Sequence, residues 1–222
     1  MKRDADALAA SPLRIGIFGG TFDPPHVGHV SAALDVADTL DLDRVLWLPA
    51  ARSPHKPDQP LTSTELRLEM VRAIAAADDR FQVDDSEVRR APPSYSVDTL
   101  EELRMRHPDA QLYLIIGVDQ YRAFDAWRDP ERVKQLATLA VMDRDGMPVE
   151  AVESEAVPAA SAPRISTEAG QKPIVGVPVQ RVDVSSTMVR ARAAAGLPLE
   201  GFVPAEVGKI IEREGLYRTR GI

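Results

Sequence analysis

The stretch Gly16–Val30, GIFGGTFDPPHVGHV, joins an apolar run to a segment whose apolar residues have helical spacing. Gly19 and Gly20 follow the apolar run, and a backbone without side chains lets N–H groups approach an anion closely. His26 and His29 stand three residues apart, so both imidazoles share one face if this turn is helical. Glycine amides, two imidazoles and a helix N-terminus together predict a site for a polyphosphate.

Other interpretations of this stretch are weaker. A Gly-Gly pair after a strand is most often only a turn, and two histidines at this spacing are compatible with zinc. Zinc is disfavoured because the chain has no cysteine and no acidic third ligand in register. The stretch also lacks the glycine–lysine pattern of a P-loop and the G-x-G-x-x-G pattern of dinucleotide-binding dehydrogenases, which disfavours both classes.

Composition excludes several classes of protein. The 222 residues carry a formal net charge of −7, which argues against broad electrostatic binding to nucleic acid or to an anionic membrane. The absence of cysteine excludes disulfides, iron–sulfur clusters and thiol nucleophiles. No apolar stretch approaches the roughly 20 residues that span a bilayer. Residues 1–12 lack the apolar core of a signal peptide and are expected to form a flexible arm, so we expect a cytoplasmic protein.

Apolar runs typical of buried strands alternate with helical patterns along residues 13–222. This alternation predicts a single α/β domain, built on a Rossmann-like parallel sheet with helices on both faces and a small C-terminal helical part. Ligands bind such sheets beyond the carboxyl ends of the strands, where the strand order reverses, and Gly16–Val30 is expected there. Residues 148–173 are rich in proline, alanine, serine and glutamate and are expected to form a mobile segment.

The individual elements follow from the same patterns. Strands are predicted in Leu13–Gly20, Arg44–Ala50, Phe81–Arg90, Gln111–Gly117, Leu139–Gly146 and Val177–Val184, the third and fifth running into a loop or turn. Helices are predicted in His29–Leu40, Ser63–Asp79, Ser96–Pro108, Asp129–Thr138, Ser185–Gly196 and Pro204–Tyr217, and the second, third and fifth of these are expected to have side-chain caps at their starts.

Five motifs in order give the chain a specific resemblance. GIFGGTFDPPHVGH resembles the opening signature of the nucleotidyltransferases with an H-x-G-H motif, in the form found in bacterial nicotinate mononucleotide adenylyltransferases. The other four motifs are SPHK, ending at Lys56, SYSVDTL at Ser94–Leu100, GVDQYRAFDAW at Gly117–Trp127, and VSSTMVR at Val184–Arg190. Ser96 stands where threonine is commoner in this family, and residues 148–173 have no counterpart in the motifs.

The resemblance implies a reaction between ATP and nicotinate mononucleotide that gives deamido-NAD and pyrophosphate in NAD biosynthesis. It implies Mg²⁺ bound with ATP and held mainly by phosphates and water, without a metal site built by the protein. Nucleic-acid and membrane partners are not expected. Oligomeric state is not readable from the motifs.

The resemblance also assigns roles to individual residues. Catalytic roles fall on His26, His29, Lys56 and Arg190. ATP-binding roles fall on Gly19, Gly20, Thr21, Phe22, Gly117, Asp119, Ser185, Ser186 and Thr187. Binding of the nicotinate nucleotide falls on Tyr95, Ser96, Val97 and Trp127, with the tryptophan stacked on the pyridine ring. Taken singly, the serines and threonine of VSSTMVR are also typical of a helix N-cap.

Three alternatives stay open on the sequence. An enzyme that prefers nicotinamide mononucleotide, or accepts both nucleotides, differs only in recognising a carboxamide instead of a carboxylate. A cytidylyltransferase is disfavoured by the double proline and by VSSTMVR followed by a short helix. A nucleotide-binding regulator without activity is disfavoured because His29, Lys56 and Arg190 are all present.

Overall fold

The computed structural model describes residues 12–51, 61–143, 164–165 and 170–218. Its seven-stranded sheet has the order β3-β2-β1-β4-β5-β7-β6, in which six strands are parallel and β6 is antiparallel to β7. The predicted parallel sheet is therefore confirmed. The strands are β1 Arg14–Gly20, β2 Arg44–Pro49, β3 Phe81–Val83, β4 Gln111–Gly117, β5 Thr138–Asp143, β6 Arg164–Ile165 and β7 Ile174–Pro178.

Helices connect the strands and follow the last of them. They are α1 Val27–Thr39, α2 Thr64–Ala75, α3 Ser86–Arg89, α4 Ser96–Arg106, α5 Val118–Arg122, a 3₁₀ turn at Phe124–Ala126, α6 Pro130–Leu136, α7 Ser186–Ala194 and α8 Ala205–Arg213. Side-chain caps start two of them as predicted: the Ser63 hydroxyl accepts from the N–H of Leu66, and the Ser185 hydroxyl accepts from the N–H of Met188. Within the described residues, no helix is long and apolar enough to cross a membrane.

Both faces of the sheet are buried, because successive side chains of a strand point to opposite faces. In β1, Ile15 and Ile17 pack with α4 and α6 residues such as Leu100 and Val133. Phe18 packs on the other face in a cluster that includes residues of α1, α2, α7 and α8. The prediction of helices on both faces is thus confirmed.

One predicted strand has different bounds in the structure, and the two segments expected to be flexible lie mostly outside the described residues. The last long strand is Ile174–Pro178 and not Val177–Val184. The N–H of Val179 still donates to the Asp143 carbonyl of β5, but the N–H of Gln180 donates to the Asp35 carboxylate of α1, so the chain leaves the sheet at that point. Within the segment expected to be mobile, residues 164–165 form β6 against β7. Residues 1–11, 148–163 and 166–169 lie outside the described residues, so the expected flexible arm and mobile segment stay predictions.

Candidate active site

The motif residues gather at the carboxyl ends of the central strands. β1 pairs with β2 on one side and with β4 on the other, so the strand order reverses between β1 and β4. Gly20 ends β1 and Gly117 ends β4, and parallel strands bring these two ends to the same edge. This is the switch point at which ligands bind in open α/β sheets.

The two histidines stand together at the start of α1. His26 is the N-cap residue, with extended backbone and a side chain that is 5% exposed, and His29 occupies the third helical position. Their rings lie against each other with 3.7 Å between centroids and a tilt of 33° between the ring planes. The N–H of His26 donates to Nδ1 of His29 at 3.2 Å. A neutral His29 ring therefore carries its proton on Nε2, which makes that nitrogen the hydrogen-bond donor.

Aromatic packing fixes the His29 ring from below. The Phe22 ring lies edge-on to it at 5.3 Å between centroids, and Trp47 packs against Phe22 at 5.3 Å. Phe22 has a φ of 50°, a left-handed conformation that is uncommon outside glycine and is held here by burial of its side chain. A Cβ on Gly20 would lie 2.9 Å from the Phe22 ring, so glycine is required by close approach.

The middle glycine of the H-x-G-H motif is explained in the same way. A Cβ on Gly28 would lie 3.1 Å from Nδ1 of His26, a close approach that would require the imidazole to shift by a few tenths of an ångström. The first turn of α1 contains no acidic residue, which leaves its positive dipole end uncompensated by side chains. These features together make the start of α1 suited to an anion.

The VSSTMVR motif packs directly against the loop between β1 and α1. The Ser186 hydroxyl donates to the carbonyl of Pro24 at 2.8 Å. Nη1 of Arg190 donates to the carbonyl of Asp23 at 2.7 Å, and Nη2 donates to the Thr187 hydroxyl at 3.2 Å. Although the first and last motifs are far apart in sequence, the fold brings them into contact.

The second motif group lies at the carboxyl end of β4 and the start of α4. Asp119 lies in the first turn of α5 with a side chain that is 93% exposed, 3.5 Å from Nη1 of Arg122. Trp127 ends the 3₁₀ turn, is half-buried, and packs against Phe124 at 5.2 Å between centroids. Part of the Trp127 side chain therefore reaches the surface.

Arg128 links this turn to the predicted pyridine-nucleotide residues. Its guanidinium lies 4.7 Å above the Tyr95 ring and 3.6 Å from the carboxylate of Asp98. Tyr95 precedes α4, Ser96 begins it, and Val97 is buried beneath it. Helix α4 has Tyr95 at its N-cap and no side-chain cap, so the expected capping at this position is wrong. The geometry nevertheless brings Trp127 and the start of α4 to one side of the sheet edge.

A guanidinium that the sequence did not predict to be buried, that of Arg67, lies beneath the site. Arg67, on α2, is 1% exposed and donates to the carbonyls of Thr21 at 2.9 Å and Ala50 at 2.7 Å. Burial lowers the pKa of this guanidinium, and the nearby Asp23 carboxylate opposes that shift. Arg67 thus connects the ends of β1 and β2. Nothing in the amphipathic pattern of α2 marks it as buried.

Glu87, on α3, is a second buried charged group that the sequence did not reveal. Its side chain is 8% exposed and accepts from the Thr99 hydroxyl at 2.8 Å. That hydroxyl in turn accepts from Nη2 of Arg90 at 2.6 Å. Burial raises the pKa of Glu87, and the bond from Thr99 opposes the shift. This network braces the loop that leads into α4.

The predicted residues thus divide into three sets. The structure brings together those of the β1–α1 loop with those of α7, and it groups those of β4, the 3₁₀ turn and α4 at the same sheet edge. Lys56 lies outside the described residues, so its phosphate contact stays a prediction. Among the described residues, no three histidine, aspartate or glutamate side chains converge as metal ligands.

Known proteins resemble this chain along most of its length. The Cytidylyltransferase-like family matches residues 17–192. A Thermus thermophilus protein named "Probable nicotinate-nucleotide adenylyltransferase" is 41% identical over 93% of this chain and 100% of its own. A Chromobacterium violaceum protein with the same name is 41% identical over 92% of this chain and 99% of its own.

A solved structure has the same fold. The structure of Plasmodium falciparum nicotinic acid mononucleotide adenylyltransferase complexed with NaAD superposes with a TM-score of 0.68. The match covers 92% of this chain and 97% of that one at 16% identity.

Proposed function

The chain belongs to the Cytidylyltransferase-like family and, within it, to the nicotinate-nucleotide adenylyltransferases, and from this premise we propose its reaction and the residues that perform it. It transfers the adenylyl group of ATP to nicotinate mononucleotide, giving deamido-NAD and pyrophosphate in NAD biosynthesis. The observation that carries this assignment is the 41% identity, across 93% of the chain, to a relative named for that activity.

The reaction requires positioning more than proton transfer. A 5′-phosphate oxygen of the mononucleotide attacks the α-phosphorus of ATP. The bond from that phosphorus to the α,β-bridging oxygen breaks, and pyrophosphate leaves with the electron pair. Because a phosphate monoester is already a competent nucleophile at neutral pH, the protein has to align two polyanions and neutralise the charge that develops on the leaving group.

We assign binding of the ATP phosphates to the start of α1 and to α7. Nε2 of His29 donates to the α-phosphate, since Nδ1 is committed to the N–H of His26. The glycine-rich end of β1 and the uncompensated dipole of α1 add positive potential at the same place. Arg190, steered by the carbonyl of Asp23, supplies a guanidinium for the β- and γ-phosphates.

We assign the nicotinate mononucleotide to the opposite part of the sheet edge. Trp127 stacks on the pyridine ring, as its position in the GVDQYRAFDAW motif implies, and Phe124 packs against it at 5.2 Å between centroids. Backbone N–H groups near Ser96 and Val97 meet the carboxylate. Asp119, in the first turn of α5, belongs to the ATP side of the site, where it accepts from ribose hydroxyls. The guanidinium of Arg128 beside Tyr95 supports a preference for the acid, because a cation there favours a carboxylate over a neutral carboxamide.

We propose that Mg²⁺ enters with ATP. The described residues contain no converging set of three metal-ligating side chains, and both oxygens of the buried Asp23 carboxylate accept from protein donors. This donor set fits an ion held mainly by phosphate oxygens and water. When bound, the ion neutralises negative charge on the leaving pyrophosphate. A cytoplasmic location stays a prediction from the sequence.

Pyrophosphate release tests the proposal directly. The full chain is incubated with ATP and Mg²⁺, and with either nicotinate mononucleotide or nicotinamide mononucleotide; a third reaction replaces ATP by CTP. We expect rapid release with ATP and the acid, and a lower kcat/KM with the amide. Comparable rates with both nucleotides would overturn the account of acid recognition but keep the chemistry. Release with CTP but not with ATP would indicate a cytidylyltransferase, and no release with any pair would indicate a regulator without activity.

A further inference from the structure

The Asp23 side chain connects the β1–α1 loop to the C-terminal end of the described chain. Its carboxylate is buried, at 3% exposed. Oδ1 accepts from the Tyr217 hydroxyl at 2.6 Å, and Oδ2 accepts from the N–H of Thr62 at 3.1 Å. The Thr62 hydroxyl donates to the Tyr217 oxygen at 3.2 Å, which closes a ring of three residues.

Tyr217 is held firmly in this position. It follows α8 in the chain and lies 194 residues from Asp23. Its φ of 64° is a left-handed conformation that a bulky residue adopts only where the surroundings impose it. Burial and the bond to Asp23 raise the pKa of its hydroxyl, so the hydroxyl remains a donor at physiological pH. The family match ends at residue 192, so Tyr217 lies beyond it.

Backbone carbonyls of the same loop orient side chains of α7 that we assign to ATP binding. The Asp23 carbonyl accepts from Nη1 of Arg190 at 2.7 Å, and the following carbonyl, of Pro24, accepts from the Ser186 hydroxyl at 2.8 Å. Two residues later His26 begins the histidine pair. A shift of Asp23 would therefore move the acceptor that orients Arg190 and the approach to the histidines.

A second contact from the C-terminal part supports the same loop. The N–H of Val27, the first in α1, donates to the carbonyl of Phe202, which lies between α7 and α8. Arg192 lies 4.1 Å above the Phe202 ring and donates to the carbonyl of Pro198 through Nε and Nη2. The loop is thus braced from the C-terminal part at both Asp23 and Val27.

We propose that Tyr217 is a positioning residue for adenylyl transfer, acting through Asp23 to hold the β1–α1 loop and the Arg190 guanidinium in register for the ATP phosphates. The inference rests on the proposed function, because it assigns those phosphates to this loop. Tyr217 itself touches no substrate. Its effect reaches the reaction only through the carboxylate and carbonyl of Asp23.

The test compares two variants that each lose one tyrosine hydroxyl. Tyr217→Phe removes the bond to Asp23. Tyr113→Phe is the matched control, since the Tyr113 hydroxyl donates to Oε1 of Gln111 at 3.0 Å on β4, away from the carboxyl edge. We expect Tyr217→Phe to lower kcat/KM for ATP by about tenfold or more relative to the control, measured at a temperature at which both variants are fully folded. A kcat/KM within twofold of the control would overturn the proposal.

A double-mutant cycle shows whether the effect passes through Arg190. In an Arg190→Ala background, Tyr217→Phe should lower kcat/KM much less than it does alone, because interacting residues are not additive. Full additivity of the two losses would contradict the proposed route through Asp23.

Amide hydrogen exchange tests whether Tyr217 holds the β1–α1 loop in place, independently of the reaction. Exchange in residues 21–30 should increase in Tyr217→Phe and stay unchanged in Tyr113→Phe. If wild type releases no pyrophosphate from ATP and nicotinate mononucleotide, the proposed function fails, and faster exchange would still support the bracing by Tyr217. Unchanged exchange in both variants would overturn the bracing itself.

Discussion

Replacing Arg67 by methionine should destabilise the protein far more than the same replacement at an exposed arginine of α2. The Arg67 guanidinium donates five hydrogen bonds, four of them to backbone carbonyls and one to a threonine hydroxyl; the acceptors are the carbonyls of Thr21, Ala50, Ala51 and Thr62 and the hydroxyl of Thr64. Methionine has similar length and fills the space with apolar atoms, but it offers none of these donors. The acceptors at the ends of β1 and β2 would then lose a common partner.

The size of the effect depends on how many acceptors of the Arg67 guanidinium remain shielded from water in the variant. The bond to the Ala50 carbonyl is fully buried, and an acceptor left unpaired there costs about 1–3 kcal/mol. The other acceptors are partly buried and regain water at a smaller cost. Relief of the desolvation that lowers the pKa of Arg67 offsets part of the loss. We therefore expect the free energy of unfolding to fall by roughly 3–5 kcal/mol, which is about 6–20 °C in Tm for a chain of this size.

Urea denaturation measures the free energy of unfolding of wild type and of three variants, Arg67→Met, Arg67→Lys and Arg72→Met. Arg72→Met on the same helix is the matched control, since Arg72 is exposed and the chemical change is identical; it should alter the free energy of unfolding by less than about 0.5 kcal/mol. Arg67→Lys should fall between the two, because an ammonium keeps the charge but offers three donors in place of five. If the free energy of unfolding of Arg67→Met falls by less than about 1 kcal/mol, or by no more than that of Arg72→Met, the hydrogen bonds of Arg67 do not stabilise the fold as described.

The remaining predictions concern the reaction and its pH dependence. His29→Ala should lower kcat by about 10²–10³-fold with an unchanged circular dichroism spectrum, and near-normal turnover would contradict its role as a phosphate donor. Trp127→Ala should raise the KM for nicotinate mononucleotide about tenfold or more and leave the KM for ATP nearly unchanged, whereas equal changes in both would argue against stacking on the pyridine ring. Glu87 has a folded pKa above its ordinary value of 4.5, so its contribution to stability is present below the unfolded pKa and is lost as the pH rises through the folded pKa. The Tm of Glu87→Gln relative to wild type should therefore increase as the pH is raised from about 4 to 7, and parallel Tm curves would show that Glu87 is not titrating in the fold.

The features that the sequence predicts well are local ones. Residues that are close together in the sequence are enough to predict strand β1 and the helix after it. They also predict that the two histidine rings lie on one face of that helix. The strand predicted at Val177–Val184 was wrong because alternating valines indicate an extended chain but not which residues find a partner strand. Pairing is decided by the neighbouring strand: β7 pairs with β5 from Ile174 to Pro178, and the last bond between the two segments is from the N–H of Val179 to the Asp143 carbonyl.

The α/β class, the family and the motif residues could be predicted without a structure, because periodicity and short motifs depend on neighbours in the chain. Burial of Arg67 could not, since an arginine on an amphipathic helix is typical of a solvated face. The contact of Tyr217 with Asp23 across 194 residues could not be predicted either, because no local pattern encodes it. Such contacts arise when the sheet order and helix packing are complete, since a buried polar group takes whichever partner the assembled fold presents to it.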